Sequence, residues 1–281
     1  MLWEDLRAEE FAEAREKACG VCIVPIGCVE KHGQHLPLGT DIVVSGEMAR
    51  QAAEEEYAVV FPTIYFGEKG GAGDIEGTII FSSELRFKIL EETCSEIARN
   101  GFKKILFFNG HGGNRAMLDN FTRSTLKKEN DFLTFTTDPQ FPMPIEKLFA
   151  EDFDFLTEED KAVLQDFADQ KKLYGHGCFF ETGWVYNYTP DLVRIDKMNQ
   201  ESGKSTGLFD VFSKYRLNTP FNWMANFPNS YTGDYHEGLN ERISKAVAQY
   251  AVNRLKESIK FLKTETVSTD FQKQWKERLF D

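Results

Sequence analysis

Apolar and polar positions alternate along the first half of the chain between two periods. Residues 4–18 carry a charged helical pattern, and the unbroken apolar run Cys22-Ile23-Val24-Pro25-Ile26 predicts a buried strand over 21–26. An Ala- and Glu-rich stretch predicts a helix over 43–56, and a second apolar run predicts a strand over 58–64, ending near Pro62. A Gly-rich loop covers 67–77. Ser82 or Ser83 then caps a helix to about Asn100, with Gly101 as its stop. Strand 103–108, helix 115–128 and strand 131–136 complete the series. Near-continuous apolar strands alternating with helices belong to a parallel sheet covered on both faces, an α/β fold.

The rhythm breaks at 138–172, which begins with Pro139, Pro142 and Pro144 and continues as an acidic helical stretch. It reads as an excursion over the surface or a subunit contact. The core pattern resumes at Tyr174, and a long amphipathic helix is expected from about Asn240 to Leu262. In the tail, Phe271, Trp275 and Leu279 are spaced like one helical face. No repeat or low-complexity linker divides the chain, so residues 1–281 are expected to form one domain.

Composition narrows the function classes. The 33 Lys and Arg stand against 45 Asp and Glu, a formal charge of −12 with no basic runs. That excludes nucleic acid or an anionic membrane as the expected partner. No apolar stretch approaches the ~20 residues that span a bilayer, and the acidic N-terminus lacks signal-peptide form, so the cytoplasm is the expected location. Five cysteines do not form a disulfide framework. Cys19 and Cys22 make a CxxC, but Cys22 opens a buried strand, which assigns it to packing. Cys28 is either a small buried residue or a reactive thiol beside the site described next.

Candidate chemistry gathers at two strand ends. Glu30-Lys31-His32-Gly33-Gln34-His35-Leu36-Pro37-Leu38-Gly39-Thr40-Asp41 follows the first apolar run, and Asn109-Gly110-His111-Gly112-Gly113-Asn114 follows the run Ile105-Leu106-Phe107-Phe108. Carboxylate with imidazole is a ligand set for divalent metals. In a parallel sheet both segments lie beyond the carboxyl ends of strands, where ligands bind. Singly, an Asp at a helix start is an N-cap and a loop His is a hydrogen-bonding residue. Jointly, four of five histidines in Gly-rich or carboxylate-containing segments point to a metal site. His35 is expected to support its loop or a ligand. His236, within Asp234-Tyr235-His236-Glu237-Gly238, reads as a helix-start residue.

The pattern P-x-G-x-x-E-x-H-G-x-H-L-P-x-x-T-D, from Pro25 to Asp41, resembles the creatininase (creatinine amidohydrolase) family. Asn109–Asn114 resembles that family's second motif, and His176-Gly177-Cys178-Phe179-Phe180-Glu181-Thr182-Gly183 its third. Gly77-Thr78 falls where the family has a Gly-Thr pair, and the resemblance covers roughly 20–255. It implies a three-layer α/β/α sandwich with a mostly parallel central sheet. It also implies two divalent ions, commonly zinc with manganese or iron as alternatives, and a homo-oligomer, often a hexamer. Carried over by position, Glu30 and His111 would hold one ion, His32 the other, and Asp41 would bridge. Glu181 would be a further ligand or a base, and His176 a proton donor to the leaving nitrogen; an imidazole with an ordinary pKa of ~6.5 suits that task.

Departures bear on the substrate. Creatinine-hydrolysing members resemble Asn-Gly-His-Tyr-Glu-Asn at the second motif, whereas this chain has Gly112 and Gly113, so creatinine is a poor expectation. Phe179 stands where the family often has Glu, Ala72 where it often has His, and Gly183 where it usually has Ser. Phe179, Phe180, Trp184 and Tyr186 can form an aromatic pocket, with packing the expected role of at least two. The expected activity is dinuclear metal-dependent hydrolysis of a C–N bond (amide, lactam, formamide or ureide) of a small molecule by metal-activated hydroxide. The alternatives are a metal- or metabolite-binding member with little turnover and a structural subunit without metal.

Overall fold

Four parallel strands pair in the order β2-β1-β3-β4, with β1 at Val21–Ile26, β2 at Val59–Val60, β3 at Lys104–Asn109 and β4 at Leu133–Thr137. The computed structural model describes all residues except 70, 72, 128, 140–142, 170–173, 234–236 and 281. Ala72, Pro142 and His236 therefore lie outside the described residues. Every position of β1 and β3 is buried, because side chains alternate between two covered faces. Cys22, Val24, Ile26, Ile105 and Phe107 meet α1 (Phe11–Lys17), which follows a 3₁₀ turn, and two further helices described next.

On the same face as α1, α3 (Ser83–Arg99) and α4 (Asn114–Thr125) contribute Leu90, Cys94, Ile97, Met117, Leu118 and Phe121; α2 (Thr40–Glu55) lies on the opposite face. There Val21, Ile23, Leu106 and Phe108 pack with Val44 and Met48 of α2. Beyond the sheet come α5 (Ile145–Phe149), α6 (Glu158–Asp169), α7 (Phe179–Tyr188), α8 (Asp210–Ser213), α9 (Asn222–Asn226), α10 (Glu241–Thr264) and α11 (Val267–Phe280). Helices α7 and α10 complete the second layer through Phe180, Val185, Val247 and Ala251. The architecture is the expected α/β/α arrangement. Among the described residues no helix is long and apolar enough to cross a membrane.

Local differences from expectation have identifiable causes. The helix expected over 4–18 begins only at Phe11, since Leu2 bridges Val60 in parallel and Trp3 packs its ring 4.6 Å from that of Phe11. The strand expected over 58–64 shrinks to two residues, with one further bridge from Ile64 to Ile26. Pro62 has no N–H to continue the ladder. Ser82 is the cap of α3, accepting from Leu85 N at 3.3 Å, and Asn240 caps α10 through Ile243 N at 3.1 Å. The segment 138–172 is not a surface excursion. Its Ile145, Leu148, Leu164 and Phe167 are buried in the same core as α7 and α10. In the tail, Phe271 and Trp275 do share a face, lining a groove with Phe132 and Leu133.

Candidate metal centre

Strand register sets the site. Ile26 pairs with Asn109, so the loops after β1 and β3 leave the sheet side by side. Each begins with a glycine that lets α2 approach. A Cβ on Gly27 would sit 2.6 Å from the Asp41 carbonyl carbon, and one on Gly110 2.6 Å from the Asp41 carbonyl oxygen. Only hydrogen at both positions allows the first turn of α2, three residues earlier than the sequence pattern predicted, to wedge between the strand ends. The loop from Glu30 folds back through a Glu30 N–H to Leu38 carbonyl bond of 3.0 Å, which returns the chain to Asp41.

Glu30, His32, Asp41 and His111 converge there, and all four are buried. His111 Nδ1 lies 2.9 Å from Glu30 Oε1 and 3.0 Å from Asp41 Oδ2. Asp41 Oδ1 faces the other imidazole, 3.0 Å from His32 Nε2. The far nitrogen of each ring is tied to backbone: His111 Nε2 donates to the Glu68 carbonyl at 2.8 Å, and His32 Nδ1 to that of Glu30 at 3.2 Å. That bond fixes each ring's orientation, so the inward nitrogen becomes the lone-pair donor once its proton is released. Asn109 Oδ1 braces the second loop, accepting from His111 N at 3.1 Å and Asn114 Nδ2 at 3.0 Å.

Glu181 stands beside this group, with Oε2 3.8 Å from His32 Nε2 and accepting from Gly177 N at 2.6 Å. His176 lies against the ring of His32, centroids 3.9 Å apart, and donates from Nε2 to the Lys31 carbonyl at 2.7 Å. His35 turns away. Its Nε2 is 3.0 Å from both the Gly177 carbonyl and Thr182 Oγ1, so it joins the first loop to the segment carrying His176 and Glu181, as its expected supporting role requires.

Two further neighbours complete the group: Lys69, which sequence reasoning did not single out, and Cys28, whose place beside the site was one of its two readings. Lys69, from the Gly-rich loop, is buried with its ammonium on Glu30 Oε2. Cys28 Sγ sits 3.3 Å from Glu30 Oε1 and 3.2 Å from Asp41 Oδ2. The available signal was a Glu68-Lys69 pair bounded by glycines in a loop leaving the sheet, and a cysteine two residues before Glu30.

The charge balance explains the titration behaviour. Burial alone would raise the Glu30 and Asp41 carboxyls, but the surrounding imidazoles outweigh it and hold both well below the usual range. Burial lowers the imidazoles, yet Asp41 and its neighbours overcome that and lift His32 to about 9 and His111 to about 10. Burial and then the His32 charge push His176 down to about 3, while burial raises Glu181 to about 7. Burial followed by the two carboxylates drives the Cys28 thiol upward. Protons on His32 and His111 thus take the place a bound cation would take. The donor set, its burial and its demand for positive charge fit divalent ions.

The centre opens on a cavity of about 680 Å³ walled by His111, Gly112, His176, Trp184, Trp223 and Phe227. Phe179 and Phe180 are fully buried against Phe167 instead, so Phe179 is not part of the pocket wall. Packing is the role of both, as expected for at least two of the four aromatics. A Cβ at Gly112 would meet nothing within 4 Å, whereas one at Gly113 would come within 2.4 Å of His111 Nε2. All five cysteines are free, Cys19 exposed and Cys22 buried.

The family model of creatinine amidohydrolases matches residues 4–259. The chain belongs to the creatininase family. As a member it is a metal-dependent hydrolase of carbon–nitrogen bonds. A creatinine amidohydrolase of Pseudomonas putida is 25% identical over 213 residues, covering 72% of this chain and 78% of that protein. A mycofactocin precursor peptide peptidase of Mycolicibacterium smegmatis is 35% identical over 101 residues, covering 33% of this chain and 39% of that one. A solved creatininase variant of zinc–zinc type shares the fold at TM-score 0.70 and 19% identity, covering 94% of this chain and 98% of the other.

Proposed function

We propose that this chain is a dinuclear amidohydrolase that cleaves an amide, lactam, formamide or ureide bond of a small molecule. The observation that carries the reading is Asp41, whose two oxygens face two different imidazoles, each tethered to a backbone carbonyl through its other nitrogen. In this reading Glu30, Asp41 and His111 hold one ion, and His32, Asp41 and Glu181 the other. Zinc is the first expectation, with manganese or iron as alternatives; solved creatininases of zinc–zinc type and with manganese support the first two as candidates. When bound, such ions supply Lewis acidity and lower the pKa of water at the site.

The chain's own residues do the rest. Glu181, which burial raises to about 7, would give up its proton to serve as a ligand of the second ion. His176 is neutral, with its Nε2 proton on the Lys31 carbonyl, and burial and the His32 charge push it down to about 3 from the ordinary ~6.5; proton delivery from it to the leaving nitrogen would require His32 to give up its charge first. Trp184, Trp223 and Phe227 exclude water and offer apolar walls to the substrate. Creatinine falls outside the proposed range. Gly113 cannot accept a Glu side chain without displacing His111, and Gly112 leaves open the space an aromatic residue would close.

We further propose one domain over residues 1–281, a cytoplasmic location and a homo-oligomer, a hexamer being the first expectation. Exposed Leu208, Val211, Tyr215, Leu217 and Phe221 supply apolar surface for a subunit contact. The functional test is a screen of the zinc- and manganese-loaded protein against lactams, formamides and ureides. Turnover abolished by Asp41→Ala supports the enzyme. Tight binding without turnover across the panel favours a metal- or metabolite-binding member instead.

A further inference from the structure

A thiol among carboxylates has one proton to share. Cys28 Sγ stands 3.3 Å from Glu30 Oε1 and 3.2 Å from Asp41 Oδ2, so its S–H satisfies one oxygen and turns a sulfur lone pair toward the other. His111 Nδ1 touches the same two oxygens at 2.9 and 3.0 Å. These four donor atoms lie within 4.8 Å of one another, and all four residues are buried. Donors bonded at about 2.0–2.3 Å to one tetrahedral ion stand roughly 3.3–3.7 Å apart. The oxygen–sulfur spacings of 3.3 and 3.2 Å lie at and just below the lower end of that range, and the nitrogen–oxygen spacings of 2.9 and 3.0 Å fall a few tenths of an ångström short.

We propose that Cys28 supplies a thiolate to the ion held by Glu30, Asp41 and His111, giving that position one soft ligand and a preference for thiophilic ions over manganese. This rests on the dinuclear reading above. The thiol proton leaves to solvent as the sulfur–metal bond forms, as it does for coordinating thiols generally. Cys28 is fully buried, so an ion held by Glu30, Asp41 and His111 would have the sulfur beside it rather than bulk water. A soft sulfur among oxygen and nitrogen donors moves selectivity toward zinc, cobalt and cadmium and away from manganese. The competing account, a small residue that only fills space, requires no sulfur–metal bond.

Chelator-stripped protein titrated with cobalt(II) separates these accounts. The expected result is visible d–d bands together with a near-ultraviolet sulfur-to-cobalt charge-transfer band. In Cys28→Ser the charge-transfer band disappears while d–d bands remain, and cadmium affinity falls about 10-fold or more with manganese affinity little changed. Cobalt d–d bands without a charge-transfer band in the unmutated protein overturn the thiolate ligand and leave the dinuclear site standing. A charge-transfer band that survives Cys28→Ser overturns it also, assigning the sulfur to another cysteine. No cobalt uptake at all removes the dinuclear reading itself, and the ligand with it. Should Cys28→Ser fail to fold, cadmium-113 NMR of the unmutated protein decides: a resonance in the sulfur-ligated range supports the proposal, and one in the oxygen and nitrogen range contradicts it.

Discussion

The two ends of β3 both bury charge, and they solve the problem in opposite ways. At the N-terminal end, Lys104 Nζ reaches Glu265 Oε1 at 2.7 Å and the carbonyls of Leu262 and Glu265 at 2.6 Å each. An ammonium has three donors, and here three acceptors receive them. Glu265 also accepts from Ser268 N and Oγ, and no charge is left over. At the C-terminal end, Glu30, Asp41 and Glu181 gather with one fixed cation among the described residues, Lys69, which pairs with Glu30. That cluster reaches balance only by protonating imidazoles. A buried cluster that completes itself holds a fold together, whereas one short of positive charge is built to receive it from outside.

The largest effect expected is at the deficient end. Asp41→Ala removes the carboxylate shared by both imidazoles, and metal content should fall from two equivalents toward zero with turnover down by ~10²-fold or more. Elemental analysis and the substrate screen read it. A variant retaining two ions would dissolve the contrast. At the self-completing end, Lys104→Ala strands buried Glu265 and should cost about 3–5 kcal/mol of folding free energy, measured by denaturant unfolding, with metal stoichiometry unchanged. Loss of metal there would show that the two ends are not separate.

His35→Ala sharpens the contrast further. It should weaken metal binding about 10-fold or more, because His35 joins the two loops through Gly177 and Thr182 and is not among the proposed ligands. A fourth expectation concerns pH. His32 and His111 are raised to about 9 and 10, so both carry protons near neutrality and must release them to become ligands. Metal affinity should climb as pH rises toward 9, with protons released in calorimetry across buffers of different ionisation enthalpy. Glu265 behaves oppositely. Burial would raise it, but Lys104 and Ser268 hold it at about 2 against an ordinary 4.5, so its contribution to stability is present above 4.5 and lost as pH falls through about 2.

Sequence patterning revealed the deficient end far better than the balanced one. β1 and β3 are continuous apolar runs, and the ligand types follow each directly, so the strand ends and Glu30, His32, Asp41 and His111 were all legible. Lys104 and Glu265 lie 161 positions apart in sequence, and no local period links them. Lys69 was obscured for a related reason, since it reaches Glu30 from a separate Gly-rich loop, whereas Cys28 beside the site was one of the two readings its position offered. Segment 138–172 reads as surface because its charged positions outnumber the core side chains that decide its burial, which among its described residues are Met143, Ile145, Leu148, Leu156, Leu164 and Phe167. Phe179 was placed at the pocket wall by motif position alone, while the stacking with Phe167 that buries it comes from that same segment.

Anomalous diffraction from crystals grown with zinc, recorded on both sides of the zinc edge, tests the central claim most directly. The account predicts two peaks about 3.5–4 Å apart, one against Glu30, Asp41 and His111 and the other against His32, Asp41 and Glu181. Zinc peaks elsewhere, with Asp41 still bonded to the two imidazoles, would contradict it.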